Sequence, residues 1–208
     1  MHARLRHQGF AFLTILLAIA CIGGCASPRA YLIVDYQLPP VTDQLIGQKV
    51  RIEVKDVRQD LQVFTPAAAD HFQNFQNRYS LTWVSQNKNR IMAGEKDLQD
   101  LFLETFKKRL EQMGAEVVST DNPQIPLFQV LINSLKVDLK GRTWSAKAGY
   151  EASLSVDSQI VARETVSGQA EKPYIVGRKG ADDSLSDIFT SVINKVDLIK
   201  LFQQAKMI

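Results

Sequence analysis

Cysteine, histidine and net charge are all scarce in this 208-residue chain, and each scarcity excludes something. The two cysteines, Cys21 and Cys25, sit close together near the start. The rest of the chain has no thiol for a disulfide, a thiolate metal ligand or a nucleophile. Of the three histidines, His2 and His7 share that N-terminal stretch, which leaves His71. A zinc site would need His71 plus carboxylates alone, an unusual ligand set. No metal and no cofactor is implied. Arg4 and Arg6 are the only two of 25 basic residues that precede residue 25, so 23 remain against 22 acidic ones. A near-neutral domain makes no electrostatic case for nucleic acid or for an anionic surface. The chain contains neither the G-x-S-x-G elbow of hydrolases nor the G-x-x-x-x-G-K-[ST] phosphate loop.

What is present begins with an address. Met1 to His7 carries Arg4 and Arg6 without an acid, and Phe10 to Ile22 is an uncharged apolar run of 13 residues. A positive start, a short apolar core and small residues at its end describe an export signal. The run falls short of the roughly 20 residues that span a bilayer; an uncleaved N-terminal anchor is the alternative. Residues 1–24 are read as signal peptide, 25–30 as a lipidated tether, and 31–208 as a single domain.

Beyond the tether, Tyr31 to Gln37 and Lys49 to Lys55 read as strands, the second from the alternation of Val50, Ile52 and Val54 with Arg51, Glu53 and Lys55. Positions 56–96 form an irregular excursion in which Tyr79 to Ser85 has the character of an edge strand. Asp97 to Met113 is an amphipathic helix, with Leu98, Leu101, Phe102, Phe106, Leu110 and Met113 on one stripe and Gly114 to end it. Leu127 to Lys140, Thr143 to Asp157 and Ile160 to Glu171 follow as a three-stranded meander with a bulge near Asn133-Ser134. A helix over Asp182 to Phe202, capped by Asp183 or Ser184, closes the chain. The expected fold is α+β, an antiparallel sheet with a three-stranded meander and two main helices packed on one face.

Chemistry-bearing residues are few. Phe72, Phe75, Tyr79 and Trp83 fall in the polar excursion and either tuck it onto the core or form a surface for a partner. Arg178 and Lys179, bracketed by Gly177 and Gly180 before a helix, are candidates for anion contact. His71 reads as a loop histidine, the Asp182-Asp183 pair as helix-start acids, and Lys107-Lys108-Arg109 as a solvated helix face. Nothing here points to catalysis, and nothing fixes the oligomeric state.

The Ile22-Gly23-Gly24-Cys25 sequence resembles the lipobox of bacterial lipoproteins. That resemblance implies a lipid thioether on Cys25, cleavage before it and acylation of its new amino group. Ala26 and Ser27 lack the acid that retains such proteins in the inner membrane, so the periplasmic face of the outer membrane is expected. The lipobox, the Gly47-to-Arg58 strand ending in Asp56-Val57-Arg58, the helix followed by Ala115-Glu116-Val117, and the meander before a C-terminal helix together resemble the YajG-type lipoproteins. The resemblance implies a non-enzymatic envelope lipoprotein that holds or assists an assembly, with a protein partner. Tyr31-Leu32-Ile33-Val34-Asp35 is similar to auxiliary lipoproteins of ABC-type lipid transport, the alternative role. The element order is also similar to the N-terminal domain of the periplasmic TolB protein.

Overall fold

The computed structural model describes residues 30–208 apart from 121, 175 and 176. Its elements are strands β1 (Tyr31–Gln37) and β2 (Lys49–Asp56), a single turn of helix α1 (Pro66–Ala69), strands β3 (Arg78–Val84) and β4 (Arg90–Lys96), helix α2 (Leu98–Gln112) and the short β5 (Glu116–Val117). Strands β6 (Leu127–Lys140), β7 (Thr143–Val156) and β8 (Gln159–Pro173) follow, then helices α3 (Lys179–Lys195) and α4 (Leu198–Gln204).

The meander forms as the sequence predicts. Gly141, at φ +57°, turns β6 into β7, and Asp157 and Ser158 in left-handed conformations turn β7 into β8. The register of β6 on β7 slips between Ile132 and Ser134, at the predicted bulge. The even positions of β7, from Trp144 through Ala146, Ala148, Tyr150 and Ala152 to Leu154, are buried. The small members of that row, with Gly168 opposite Ala148 on β8, let α3 approach closely. A Cβ at Gly168 would lie 2.8 Å from Ile188 Cδ1 on α3.

The antiparallel sheet expected from sequence is corrected by the structure: the strands form two sheets, and both are mixed. A five-stranded sheet has the order β5-β2-β6-β7-β8, with β2 parallel to both β5 and β6. A three-stranded sheet has the order β1-β3-β4, with β1 parallel to β3. Alternation reports which face of a strand is buried, and that pattern is the same whichever way the neighbour runs. The Tyr79-to-Ser85 segment, expected at an edge, is the central strand β3, because β4 covers its far side. β4 itself escapes the sequence reading: Ile91 and Met92 are exposed and Gly94 has φ +91°.

Two main helices do pack on one face of the larger sheet. The Phe102 ring of α2 meets Phe189 of α3 edge-on at 5.1 Å and Tyr150 of β7 at 5.9 Å. Asp97 caps α2 by accepting from the Asp100 amide at 2.8 Å, and Gly114 (φ +89°) ends it. The C-terminal helix differs from expectation in two ways. It starts earlier, at Lys179 with Arg178 in the cap position, so neither Asp183 nor Ser184 caps it. It also breaks at Val196, after which Asp197 starts α4 by accepting from the Lys200 amide at 2.9 Å.

Candidate interaction surface

The sequence-predicted residues converge unevenly. Phe72 and Tyr79 are core residues, while Phe75 and Trp83 are partly buried against the core. The packing alternative therefore describes Phe72 and Tyr79, whose rings have no exposed face to offer a partner. Phe72 stacks on Phe64 at 4.3 Å, Phe75 meets Phe64 and Tyr79 edge-on, and Phe72 meets Trp144 edge-on at 5.8 Å. His71 joins the same cluster, 5.4 Å from Trp144 and 5.7 Å from Tyr174. Arg178 completes it, its guanidinium 5.2 Å from the centre of the Phe72 ring, a cation–π arrangement. Trp83 stands apart, at the other end of β3 beside Tyr36.

This cluster closes one end of the molecule. Gln76 donates its amide to the carbonyl of Ala30, so the chain enters β1 over the 70–77 loop. Tyr174 donates its amide to Arg142 in the β6–β7 turn, and Gly180 lies hard against Trp144. Lys179 is exposed and paired with Asp183 at 2.6 Å. Cys25 lies outside the described residues. Asp182 and Asp183 are not a carboxylate pair: Asp183 faces Lys179, whereas Asp182 turns inward.

The inward turn of Asp182 opens an arrangement that sequence reasoning missed. β1 pairs with β3 on one side only, and along its other side runs α3. Asp182 accepts from the Ile33 amide at 2.9 Å, Ser186 from Asp35 at 2.9 Å and Thr190 from Gln37 at 3.1 Å. The same hydroxyls donate backwards, Ser186 to the Ile33 carbonyl at 3.5 Å and Thr190 to that of Asp35 at 3.4 Å, while the Asn194 amide donates to Gln37 at 3.1 Å. Four helical side chains at four-residue spacing thus serve alternate residues of an edge strand. The geometry works because four helical residues rise about 6.0 Å and two strand residues about 6.6 Å. Each hydroxyl accepts from one backbone amide and donates to the carbonyl two residues earlier, the pattern a neighbouring strand would supply.

The ladder is locked at its far end. Tyr36 donates to Asn194 Oδ1 at 2.5 Å, and Tyr150 to the carbonyl of Val192 at 2.7 Å. Burial pushes both phenols well above their ordinary range, so they remain donors. Arg109, expected on a solvated face, is only 8% exposed and donates to the carbonyls of Ile193, Asn194 and Val196. Burial draws its pKa down, opposed by the nearby tyrosines, and a guanidinium stays charged regardless. A cation on the last carbonyls of α3 satisfies them and complements the helix dipole, which accounts for the break before α4.

At the exit of β2, Asp56 and Arg58 form a bidentate pair, with Nε–Oδ1 at 2.8 Å and Nη2–Oδ2 at 2.7 Å. Their side chains are 17% and 6% exposed. The hydrogen bonds from Arg58 hold the Asp56 carboxyl below the usual carboxylate range. A separate open groove of about 720 Å³ lies between α2 and β2, lined by Arg51, Glu53, Glu104, Lys107, Ser119 and Thr120. None of the sequence-predicted site residues lines it. Among the described residues no helix is long and apolar enough to cross a membrane.

No protein-family model matches the chain, and no curated protein matches it in sequence. Solved structures do. The Xanthomonas campestris protein XCC0632, of the family DUF330, aligns with a TM-score of 0.55 at 14% identity, covering 86% of this chain and 100% of that one. Rare lipoprotein B from Shewanella oneidensis aligns at 0.38 and 8% identity, over 50% of this chain and 86% of its own. A minor lipoprotein from Acinetobacter baumannii aligns at 0.35 and 11% identity, over 78% and 92%. At 14% identity the likeness to XCC0632 is one of fold, shared over the whole of that protein and 86% of this chain.

Proposed function

We propose that this protein is a YajG-type lipoprotein held on the periplasmic face of the outer membrane through Cys25, where its domain acts as a non-enzymatic module that holds or assists an envelope protein assembly. The observation that carries the reading is the Ile22-Gly23-Gly24-Cys25 lipobox behind a charged start and a short apolar core. The structure supports it in one respect: the chain leaving the tether is bound at once into the core, with β1 held by β3 on one side and by α3 on the other. A lipid anchor retains a domain without any spanning helix, since each buried methylene contributes about 0.8 kcal/mol and more than one acyl chain is attached. Cys25→Ser abolishes acylation and membrane retention on this reading. A variant that still fractionates with membranes and still carries labelled lipid sinks it.

A second role, as auxiliary subunit of an ABC-type lipid transporter, is favoured by Tyr31 to Asp35. The residues that resemble such auxiliaries are the ones bonded on both sides. In-cell cross-linking of the native lipoprotein separates the two: transporter subunits among its neighbours support the second role, and other envelope proteins the first.

A further inference from the structure

We infer that the groove between β2 and α2 is a docking site for an extended, uncharged peptide segment of a partner protein, which joins the larger sheet as an added strand. The inference rests on the proposed role as a module that holds an envelope protein assembly, and it gives that role its contact. The backbone of β2 supplies the first observation. Arg51 and Val57 donate their amides to Pro126 and Ile132, so the odd-numbered residues of this stretch bond towards β6. Gln48 and Val50 accept from Glu116 and Val118, so the even-numbered residues bond towards β5. Backbone groups alternate sides along a strand, and the even row continues through Ile52, Val54 and Asp56. β5 ends before that row does, since it pairs with β2 only at Lys49 and Val50. Asp56, at the far end, donates its amide to Gln99 Oε1 of α2 at 3.4 Å. Between the two, the N–H and C=O groups of Ile52 and Val54 point where, among the described residues, no strand runs.

The side chains mark the same gap. Val50, Ile52 and Val54 lie on one face of β2, yet Val50 beside β5 is 0% exposed while Ile52 and Val54 are only half-buried. From Val50 to Asp56 the open stretch is about 20 Å long, and neither a proline nor a bulge blunts it. The groove of about 720 Å³ lies against it. α2 forms the opposite wall with the half-buried Leu103, and Val117 and Val118 close the end where β5 stops. A strand laid in this groove prolongs the line of β5, bonds to Ile52 and Val54 through its main chain, and sets alternate side chains against Leu103. Only a ligand with a regular row of amides and carbonyls serves both residues at once, and that ligand is polypeptide. The charged side chains lining the groove, Arg51, Glu53, Glu104 and Lys107, are two of each sign. They therefore favour an uncharged segment over one of either sign.

Amide exchange on the native lipoprotein in detergent micelles reads this edge residue by residue. In the free protein Ile52 and Val54 exchange about tenfold faster than Arg51, Glu53 and Lys55, whose amides face β6. The probe is the uncharged peptide acetyl-Gly-Val-Thr-Val-Ser-Gly-amide, and its control is the same peptide N-methylated at each central amide. The plain peptide slows Ile52 and Val54 about tenfold and leaves Arg51, Glu53 and Lys55 unchanged, while the methylated peptide protects neither. Leu103→Trp fills the groove and removes the protection, and Ser119→Trp at the exposed rim, away from the core, does the same. Exchange at Ile52 and Val54 that the peptide does not slow, or protection that survives both replacements, overturns the docking site and leaves the holding role intact. Slow exchange of these two amides in the free protein overturns it too. Protection independent of protein concentration assigns the edge to the chain's own segment after β5, and protection that grows with concentration assigns it to a second copy. A photo-cross-linker at Glu104 that captures no protein in native envelopes, where cross-linkers elsewhere on the domain do, overturns the site alone. Capture from no position overturns the holding role together with it.

Discussion

Removing one rung of the side-chain ladder on β1 tests whether α3 stands in for a missing strand. In Asp182→Ala the Ile33 amide loses its acceptor in a site where Asp182 is 6% exposed. A hydrogen bond to a charged group contributes about 1.5–3 kcal/mol, and the amide left behind is desolvated without its partner. The expected loss is therefore about 2–3 kcal/mol. For a domain of this size, with 2–4 °C lost per kcal/mol, that is roughly 4–12 °C in Tm. Asp182→Asn keeps an acceptor oxygen in place and should lose less than about 1 kcal/mol. Asp187→Ala on the same helix is the control. Its partner Lys172 is 39% exposed and Asp187 itself 55%, and such surface pairs contribute about 0–1 kcal/mol. Urea unfolding followed by the fluorescence of Trp83 and Trp144 gives the three stabilities. Amide exchange localises the effect: in Asp182→Ala the Ile33 amide exchanges faster, while Leu32 and Val34 do not change beyond the global shift. Asp182→Ala within 0.5 kcal/mol of the parent, or an Ile33 amide no faster than its neighbours, would show that α3 covers β1 without bonding it.

Two further outcomes follow from buried charges. Arg109→Ala leaves the carbonyls of Ile193 and Val196 without their donor at the end of α3, and should cost about 3 kcal/mol by denaturant unfolding, with early exchange in α4; a loss under 1 kcal/mol contradicts the capping role. The Asp56 carboxyl is depressed in the folded state, so its stabilisation is complete above the unfolded value of about 3.9 and is lost as pH falls through the lower folded value. Asp56→Asn should accordingly be less stable than the parent at pH 6 and converge with it towards pH 2, as read by Tm; a gap independent of pH refutes the assignment.

The sequence made some of this architecture legible for plain physical reasons. The α2 stripe recurs at three- and four-residue spacing between Asp97 and Gly114, a pattern with one interpretation. The meander alternates over long strands between turn residues, and its change of phase marks the bulge at Ile132 and Ser134. Strand direction was hidden, because Val50, Ile52 and Val54 alternate identically beside a parallel or an antiparallel neighbour. β4 was hidden because its large apolar residues Ile91 and Met92 face water. The ladder was hidden more deeply. Asp182, Ser186, Thr190 and Asn194 are polar residues on the non-core side of an amphipathic helix, which is also what a solvated face looks like. Their strict four-residue spacing was the available signal. Arg109 carried a clearer one: it falls in phase with Thr105, Phe106 and Leu110 on the buried stripe of α2 rather than with the half-buried Lys107 and Lys108.

The attachment of β1 also determines how the domain responds to force. A pull arriving along the chain at Ala30 runs parallel to β1, across the direction of its bonds to β3 and to α3. The bonds on both sides are then loaded in shear and must slip together, instead of opening one at a time from an end. The first strand is a clamp gripped from two sides, one jaw made of backbone and the other of side chains, and the second jaw belongs to the last long helix of the chain.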